Sequence, residues 1–282
     1  MSIRNLSQTG NSVMSRRRWL GLSAGAFAAT CMSACGPVSG GRDVTPVVET
    51  QRVVLKNLAA PCKMAQISDI HFKREKSEQP RLAAQIAETG AEFLVMTGDA
   101  LTTMEAQGAL REFCEELEIP AYAVPGNWEH SLKWSADAQR KFYSGCGIHP
   151  LINVNSRLDF GGGINLVGVD DPFKGADDLD TALKGTDRKL PTLLLAHAPV
   201  IATQARISHR IDLVMCGHTH GGQIRFPLLG PMFMPPGSVG YDMGMYEIGE
   251  MRLYVNRGIG TSFMPLRVMC PPEITVFDLV PA

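Results

Sequence analysis

The sequence predicts an α/β domain of two packed sheets flanked by helices, and three observations point there. From about residue 52, apolar runs of strand length alternate with amphipathic helical patterns. The C-terminal part changes character. Its strand-like segments follow one another with no long helix between them, a pattern of two packed sheets rather than one open parallel sheet. Asp, Asn or His also stands just after most of the apolar runs, so polar chemistry gathers at strand ends.

Taken in order, the chain opens with a targeting segment that is kept out of fold reasoning. Residues 1–34 carry Arg4, Arg16, Arg17 and Arg18 and no acid. Ser15-Arg16-Arg17-Arg18-Trp19-Leu20 resembles a twin-arginine export signal, with Trp19 where Phe is usual. The stretch 20–34 is too short and too weakly apolar for a membrane span. It runs into Met32-Ser33-Ala34-Cys35-Gly36, which resembles a lipobox. Lipidation of Cys35 is the favoured reading; a plain signal peptide cleaved near Ala34 and an uncleaved anchor are the alternatives. Residues 1–35 are therefore signal, 36–51 a flexible tether of turn formers, and 52–282 one domain.

Within that domain, 64–68, 93–97, 121–124, 164–169, 192–196 and 213–216 read as buried strands. Residues 80–89 fit a helix with Leu82 and Ile86 on one face and Gly90 as its stop. Residues 103–118 fit a second, with Leu110, Phe113, Cys114 and Leu117 at i, i+3, i+4, i+7 spacing, and 131–143 a weaker third. The C-terminal strands are 223–226, 252–255 and 273–279. Residues 227–236, apolar and rich in proline, suit neither a helix nor an inner strand. They read either as a loop capping the fold's own core or as a lip that meets acyl chains or a membrane surface.

A hydrophobic share of 45% with 20% charged residues suits a globular domain with a sizeable core. Taking the four N-terminal arginines from the 27 basic residues leaves 23 against 28 acidic ones, a balance of −5. A mildly acidic body lacks the basic surface that nucleic acid demands, so no nucleic-acid partner is expected. Cys31 and Cys35 fall in the signal. Cys62, Cys114, Cys146, Cys216 and Cys270 form no close metal-type pair, and an odd number leaves at least one thiol free.

Four segments carry the chemistry: Ser68-Asp69-Ile70-His71, Gly98-Asp99, Gly126-Asn127-Trp128-Glu129-His130 and Gly217-His218-Thr219-His220-Gly221-Gly222. His197 joins them at the end of an apolar run. Oxygen and imidazole donors gathered at strand ends are what a divalent metal site needs. Asp69 and His71 are two residues apart, so on an extended segment they fall on one side, and His218 and His220 repeat the spacing. Gly98 and Gly126 permit sharp turns before Asp99 and Asn127. Two ions about 3.5–4 Å apart can generate a nucleophile from water and neutralise phosphoryl oxygens; holding them takes about seven donors, one shared.

These blocks, in this order, resemble the calcineurin-like metallophosphoesterase superfamily over about residues 63–280. The resemblance is closest to an export-linked bacterial branch of YkuE and YaeI type, which also shares Gln223-Ile224 after the last block, Arg257-Gly258-Ile259-Gly260 and Pro272-Glu273-Ile274. It implies a two-sheet αββα sandwich, a phosphoester substrate attacked by metal-bound hydroxide, and two divalent ions. Manganese, iron and zinc suit His, Asp and Asn donors alike. It further implies that Asp69, His71 and His220 hold one ion, that Asn127, His197 and His218 hold the other, and that Asp99 bridges. His149 and His209 fit no block.

The third block departs from the pattern, with Trp128 where the family has a histidine that protonates the leaving oxygen or stabilises the transition state. Indole donates a hydrogen bond but does not titrate. Three readings stay open. His130 takes over as the acid with Glu129 orienting it, making these two the candidate catalytic residues. Alternatively Trp128 stacks on a substrate ring, or the site is a slow or inactive remnant. Arg257 and Arg267 are read either as phosphate contacts or as structural pairs, and Asp170 and Asp171 as a turn or as neighbours of the site.

The expectation is an exported phosphoesterase, membrane-anchored through a lipid on Cys35 and located in the cell envelope. It should favour phosphodiesters or pyrophosphates over alkyl monoesters, on a substrate that is amphiphilic or lipid-linked if 227–236 is a lip. The alternative is a non-catalytic or very slow metal-binding envelope protein.

Overall fold

The computed structural model describes residues 38–40 (backbone only), 45–74, 81–262 and 264–282. The predicted export signal, the candidate lipid site Cys35 and much of the predicted tether lie outside the described residues. Strands apolar at every position need cover on both faces, and the chain order supplies it. The strands are β1 Val38–Gly40, β2 Val47–Leu55, β3 Cys62–Ile67, β4 Phe93–Thr97, β5 Ala121–Val124, β6 Ile148–Pro150, β7 Val154–Leu158 and β8 Ile164–Gly168. They continue with β9 Thr192–Leu195, β10 Leu213–Cys216, β11 Arg225–Phe226, β12 Gly230–Pro231, β13 Gly244–Ile248, β14 Met251–Val255, β15 Leu266–Val268 and β16 Glu273–Pro281. The helices are α1 Leu82–Glu88, α2 Gln107–Glu115, α3 Asn127–Ser131, α4 Ala136–Gly145, α5 Leu179–Ala182 and α6 Ala202–Ser208.

One sheet runs β2-β16-β3-β4-β5-β6 and the other β13-β14-β10-β9-β8-β7. Side chains alternate across each strand, and the alternation sorts the core into three layers. Met64, Phe93, Val95, Leu193, Leu195, Leu213 and Met215 meet between the two sheets. Ala65, Ile67, Leu94 and Met96 turn the other way, onto Leu82 and Ile86 of α1, Leu110 and Phe113 of α2 and Phe142 of α4. Leu194, Val214 and Cys216 face Leu179 and Ala182 of α5 and Ala202 and Ala205 of α6. The expected αββα sandwich is the observed architecture.

The parallel alignment of β3, β4 and β5 in one sheet, and of β9 and β10 in the other, positions the site. Each of these strands ends just before a predicted metal ligand, so Asp69, Asp99, Asn127, His197 and His218 leave carboxyl ends of parallel strands, where α/β sheets place their ligands. The sheets are stitched together there. Gln66 Nε2 of β3 donates across the sheets to the Cys216 carbonyl of β10 at 3.0 Å, while within the second sheet Gly217 N–H donates to the His197 carbonyl at 2.9 Å.

The structure moves several predicted boundaries. Residues 47–51, read as tether, are the first half of β2, which pairs parallel with β16 from Val47↔Glu273 onward. β2 escapes periodicity because it is an edge strand with several half-exposed and polar positions, and its partner lies at the far end of the chain. The helix read over 103–118 is a 3₁₀ turn at Met104–Ala106 followed by α2, and the one read over 131–143 divides into α3 and α4. The strand at 223–226 shrinks to β11 because Gln223 has a φ of 56°. β6, β7 and β13 are short, partly exposed strands with no apolar run to announce them.

Leu193 is fully buried between the sheets. Leu193→Ala is expected to remove about 2–5 kcal/mol of unfolding free energy, read as a lower urea midpoint with an unchanged slope.

Candidate metal centre

Seven side chains predicted as ligands come together at the strand ends, and they do so as two sets of three around a shared carboxylate. In the first set, His71 Nε2 lies 3.1 Å from His220 Nε2, and Asp69 Oδ1 lies 3.4 Å from His220 Nε2 and 4.0 Å from His71 Nε2. In the second, Asn127 Oδ1 lies 2.9 Å from His218 Nδ1 and 3.1 Å from His197 Nε2, with the two ring nitrogens 3.2 Å apart. Donors bound at roughly 2.0–2.2 Å to one ion stand roughly 3–3.5 Å from each other, so these spacings fit two metal coordination shells. Asp99 Oδ2 sits 3.7 Å from His71 Nε2 and 3.3 Å from His197 Nε2, facing both sets. Its Oδ1 is occupied elsewhere, accepting from Trp128 N–H at 2.8 Å.

In two of the rings a partner on the far side fixes which nitrogen is bare. His197 Nδ1 is 2.8 Å from the Thr97 carbonyl and His218 Nε2 is 2.8 Å from the Pro236 carbonyl. A carbonyl only accepts, so those nitrogens carry the protons and present His197 Nε2 and His218 Nδ1 as lone pairs to the cluster. His71 Nδ1 lies 3.1 Å from Thr102 Oγ1, which leaves Nε2 for the metal side. Asp69 is divided in the same way. Oδ2 accepts from Ser68 Oγ at 2.6 Å and His218 N–H at 2.9 Å, while the buried Oδ1 has no hydrogen-bond partner. An orphaned carboxylate oxygen among bare imidazole nitrogens is a donor set in want of a cation. The residues therefore fit a pair of divalent metal ions, which would be held by Asp69, His71 and His220 on one side and Asn127, His197 and His218 on the other.

Electrostatics agree. Burial holds His71 and His220 well below the ordinary imidazole range and His218 down to about 3, so these rings are neutral and able to ligate. Burial also raises the carboxyls of Asp69 and Asp99, the latter to about 7. Burial alone would lower His197, but the carboxylates of Asp99 and Asp69 outweigh it and raise its proton affinity. Burial denies these carboxyls the counter-charge that water would supply, and a divalent cation would meet that demand.

The backbone departs from expectation. Asp69 and His71 do not share a side by lying on an extended segment. Both have φ near 50°, as do Asp99 and His220, and His218 has φ 70°. Five ligands thus sit in the left-handed region, each costing about 1–3 kcal/mol unless the surroundings enforce it. Close approach of neighbouring loops provides the enforcement. A Cβ on Gly98, where φ is 91°, would lie 2.5 Å from His197 Nδ1, and one on Gly217 would lie 1.8 Å from Ser68 Oγ.

The comparisons with known proteins agree with this geometry. Residues 62–222 match the calcineurin-like phosphoesterase family. The chain belongs to that family. It is 31% identical over 281 residues to the uncharacterized metallophosphoesterase YkuE of Bacillus subtilis, covering 94% of this chain and 98% of that one. It is 28% identical over 282 residues to the phosphodiesterase YaeI of Escherichia coli, covering 95% and 100%. Among solved structures, a 5′-nucleotidase precursor from Thermus thermophilus aligns with a TM-score of 0.47 at 11% identity, over 78% of this chain and 54% of that one. As a calcineurin-like phosphoesterase, the protein has the expected two-sheet fold and residues placed to bind metal.

The two candidate catalytic residues are placed differently from the roles given to them. Glu129 does not orient His130. Its fully buried carboxylate accepts from the backbone N–H groups of Asp99 (3.1 Å), Ala100 (2.8 Å), Leu101 (3.2 Å) and Gly126 (2.9 Å), and from Tyr143 Oη (3.3 Å). It clamps the loop presenting Asp99 to the loop presenting Asn127. His130 turns to Asp170, with Nε2 2.6 Å from Oδ1, and that hydrogen bond raises its pKa. Asp170 is thus the partner of His130, a pairing that spacing did not reveal.

Trp128 packs edge-on against His71, with ring centroids 5.5 Å apart, and lines a cavity of about 650 Å³ that Asp99, Asn127, His218 and His220 also line. His130 is absent from that lining. Arg257 pairs with Glu273 and with Glu49 (2.9 Å), a structural pairing, while the buried Arg267 donates to the carbonyls of Gly260, Gly258, Arg257 and Cys270 and also stands 3.3 Å from His220 Nδ1, supporting that ring from behind. His149 stacks on Tyr122, and His209 ends α6. Ser68, Thr97 and Pro236 were missed as supports; Ser68 alone had a signal, its place beside Asp69.

Asp99→Asn is expected to lose both ions by elemental analysis, whereas His71→Ala loses mainly one. Glu129→Gln should leave at least one buried backbone N–H without an acceptor and lower stability by about 1–3 kcal/mol. It should also weaken metal retention in a chelator challenge, although Glu129 touches no ion.

Proposed function

We propose that this calcineurin-like phosphoesterase is exported, anchored to the membrane through Cys35, and hydrolyses phosphodiesters or pyrophosphates in preference to alkyl phosphomonoesters. The observation that carries the reading is Asp99 Oδ2 standing between His71 and His197, within reach of both donor sets. Two divalent ions bound there, manganese, iron or zinc, supply a nucleophile from water near neutral pH and neutralise charge on phosphorus-bound oxygens. The chain's own part is positional. Glu129 fixes the two loops that carry Asp99 and Asn127, the carbonyls of Thr97 and Pro236 hold two ring tautomers, and Trp128 closes one side of the cavity.

Trp128 supports the preference for good leaving groups. Indole delivers no proton to a departing alkoxide, and His130 is engaged by Asp170 at 2.6 Å. An alkyl monoester gains most from an acid; a diester or pyrophosphate with an acidic leaving group gains less. The Escherichia coli relative is itself named a phosphodiesterase, which is in keeping. Export rests on Arg16-Arg17-Arg18 and anchoring on Met32-Ser33-Ala34-Cys35. The lost histidine also supports a rival reading, a metal-binding protein without turnover.

Turnover of bis(nitrophenyl) phosphate separates the two. The catalytic reading expects activity that disappears with chelator, returns with manganese, and falls by roughly 10² or more in Asn127→Ala. A metal-loaded sample with no metal-dependent turnover would establish the binding protein. His130→Ala should change the diester rate by less than about 10-fold, below the range that general-acid catalysis commands.

A further inference from the structure

One segment supplies much of the apolar lining of the cavity beside the candidate metal ligands. Residues 226–241 contain no charged side chain. Their inner side, including Met232, Phe233, Pro235 and Pro236, lines the same cavity as Asp99, His218 and His220. Their outer side is the β11–β12 hairpin, which pairs Phe226 with Gly230 and turns through Pro227, Leu228 and Leu229. At that tip Leu228 is 106% and Leu229 83% exposed, and Met232 just beyond is 68% exposed. Leu228 also has a φ of 65°, a conformation for which glycine or asparagine is the favourable choice in water. A turn that strains Leu228 and leaves both leucines largely exposed is a poor fit to water.

The start of the described chain lies beside the base of this hairpin. β1 pairs antiparallel with β15, Val38 opposite Val268. Val268 in turn bridges Ile224 and donates its N–H to the Gln223 carbonyl at 3.0 Å, immediately before β11. Two strand spacings, roughly 10 Å, therefore separate the backbone at Val38 from the hairpin base. Cys35 is three residues before Val38, a reach of at most about 10 Å of chain. Only three residues of chain thus separate the candidate lipid site from a strand that adjoins the hairpin base.

We propose that the β11–β12 hairpin inserts its Leu228-Leu229 tip into the outer surface of the bilayer, so that the cavity takes phosphoesters of membrane lipids directly from that surface. The chemistry rests on the hydrolase reading above; the docking does not. The absence of charge from 226 to 241 lets the segment leave water without desolvating an ion, which is what an interfacial anchor requires. The apolar wall of Met232, Phe233 and Met264 would receive the acyl portion while the phosphoryl group lies toward His218 and His220. Two attachments, one lipid and one hairpin, also suit stable anchoring better than a single acyl signal.

The test uses the full chain with Leu229→Trp, added to vesicles of phosphatidylethanolamine and phosphatidylglycerol with or without brominated acyl chains. The introduced indole should shift to shorter wavelength and lose emission to the brominated lipid. In a Cys35→Ala background, Leu228→Asp with Leu229→Asp should weaken vesicle partitioning by roughly 10-fold or more. Hydrolysis of the soluble diester should stay unchanged, which shows that the variant folds. Equal emission with and without bromine would overturn the proposal. So would unchanged partitioning in the double variant, or concentration-dependent pairing of the protein that the double variant abolishes in place of vesicle binding. Loss of all diester activity in the wild type would instead strike the hydrolase reading and leave the docking result standing.

Discussion

The arrangement depends on the Asp99 carboxylate. One oxygen is pinned by the N–H of Trp128, and the other stands between His71 and His197, each of which belongs to a different donor set. Lone pairs and negative charge packed this closely inside a protein repel one another and are deprived of water. The fold overcomes that by rigid support. Parallel strands of both sheets end at one place, three buried apolar layers hold them there, and each loop is tied to its neighbour by backbone hydrogen bonds. Glu129 is the central tie, since a single carboxylate collects four backbone N–H groups from the two loops that must stay in register.

Left-handed backbone at five ligands follows from the same constraint. A chain leaving a strand end in extended form carries its side chains onward, away from the neighbouring strands. A left-handed residue turns it sharply enough for the side chain to point across the strand ends. The strain is then stored at the residues that would hold the cations. This links stability to metal occupancy: binding to the folded state alone raises its stability.

The cavity is asymmetric, with a floor of imidazole, carboxylate and amide and walls of Trp128, Phe173, Met232, Phe233 and proline. A polar floor suits a charged phosphoryl group, and an apolar wall suits a substrate with a hydrophobic portion. The proposed insertion of the hairpin tip gives that wall a purpose that core packing does not, because Leu228 and Leu229 cover nothing of the protein's own.

The sequence by itself determined the strands buried on both faces and the set of donors. Two-sided burial leaves a continuous apolar run such as that of β4, and a resemblance in ordered blocks carries ligand identity residue by residue. Every side chain named from those blocks as a candidate ligand lies in the cluster. β2 stayed illegible because an edge strand with exposed positions has no such run, and its pairing with β16 is a contact between distant parts of the chain. The roles of Glu129 and His130 were decided by tertiary structure alone. Their spacing beside Asn127 suggested that they serve each other. The folded chain instead brings 30 residues of sequence separation to zero at Asp99 and Glu129, and 40 at His130 and Asp170. A buried carboxylate takes whichever donors the fold carries to it, and that choice depends on loops meeting in space rather than on neighbours along the chain.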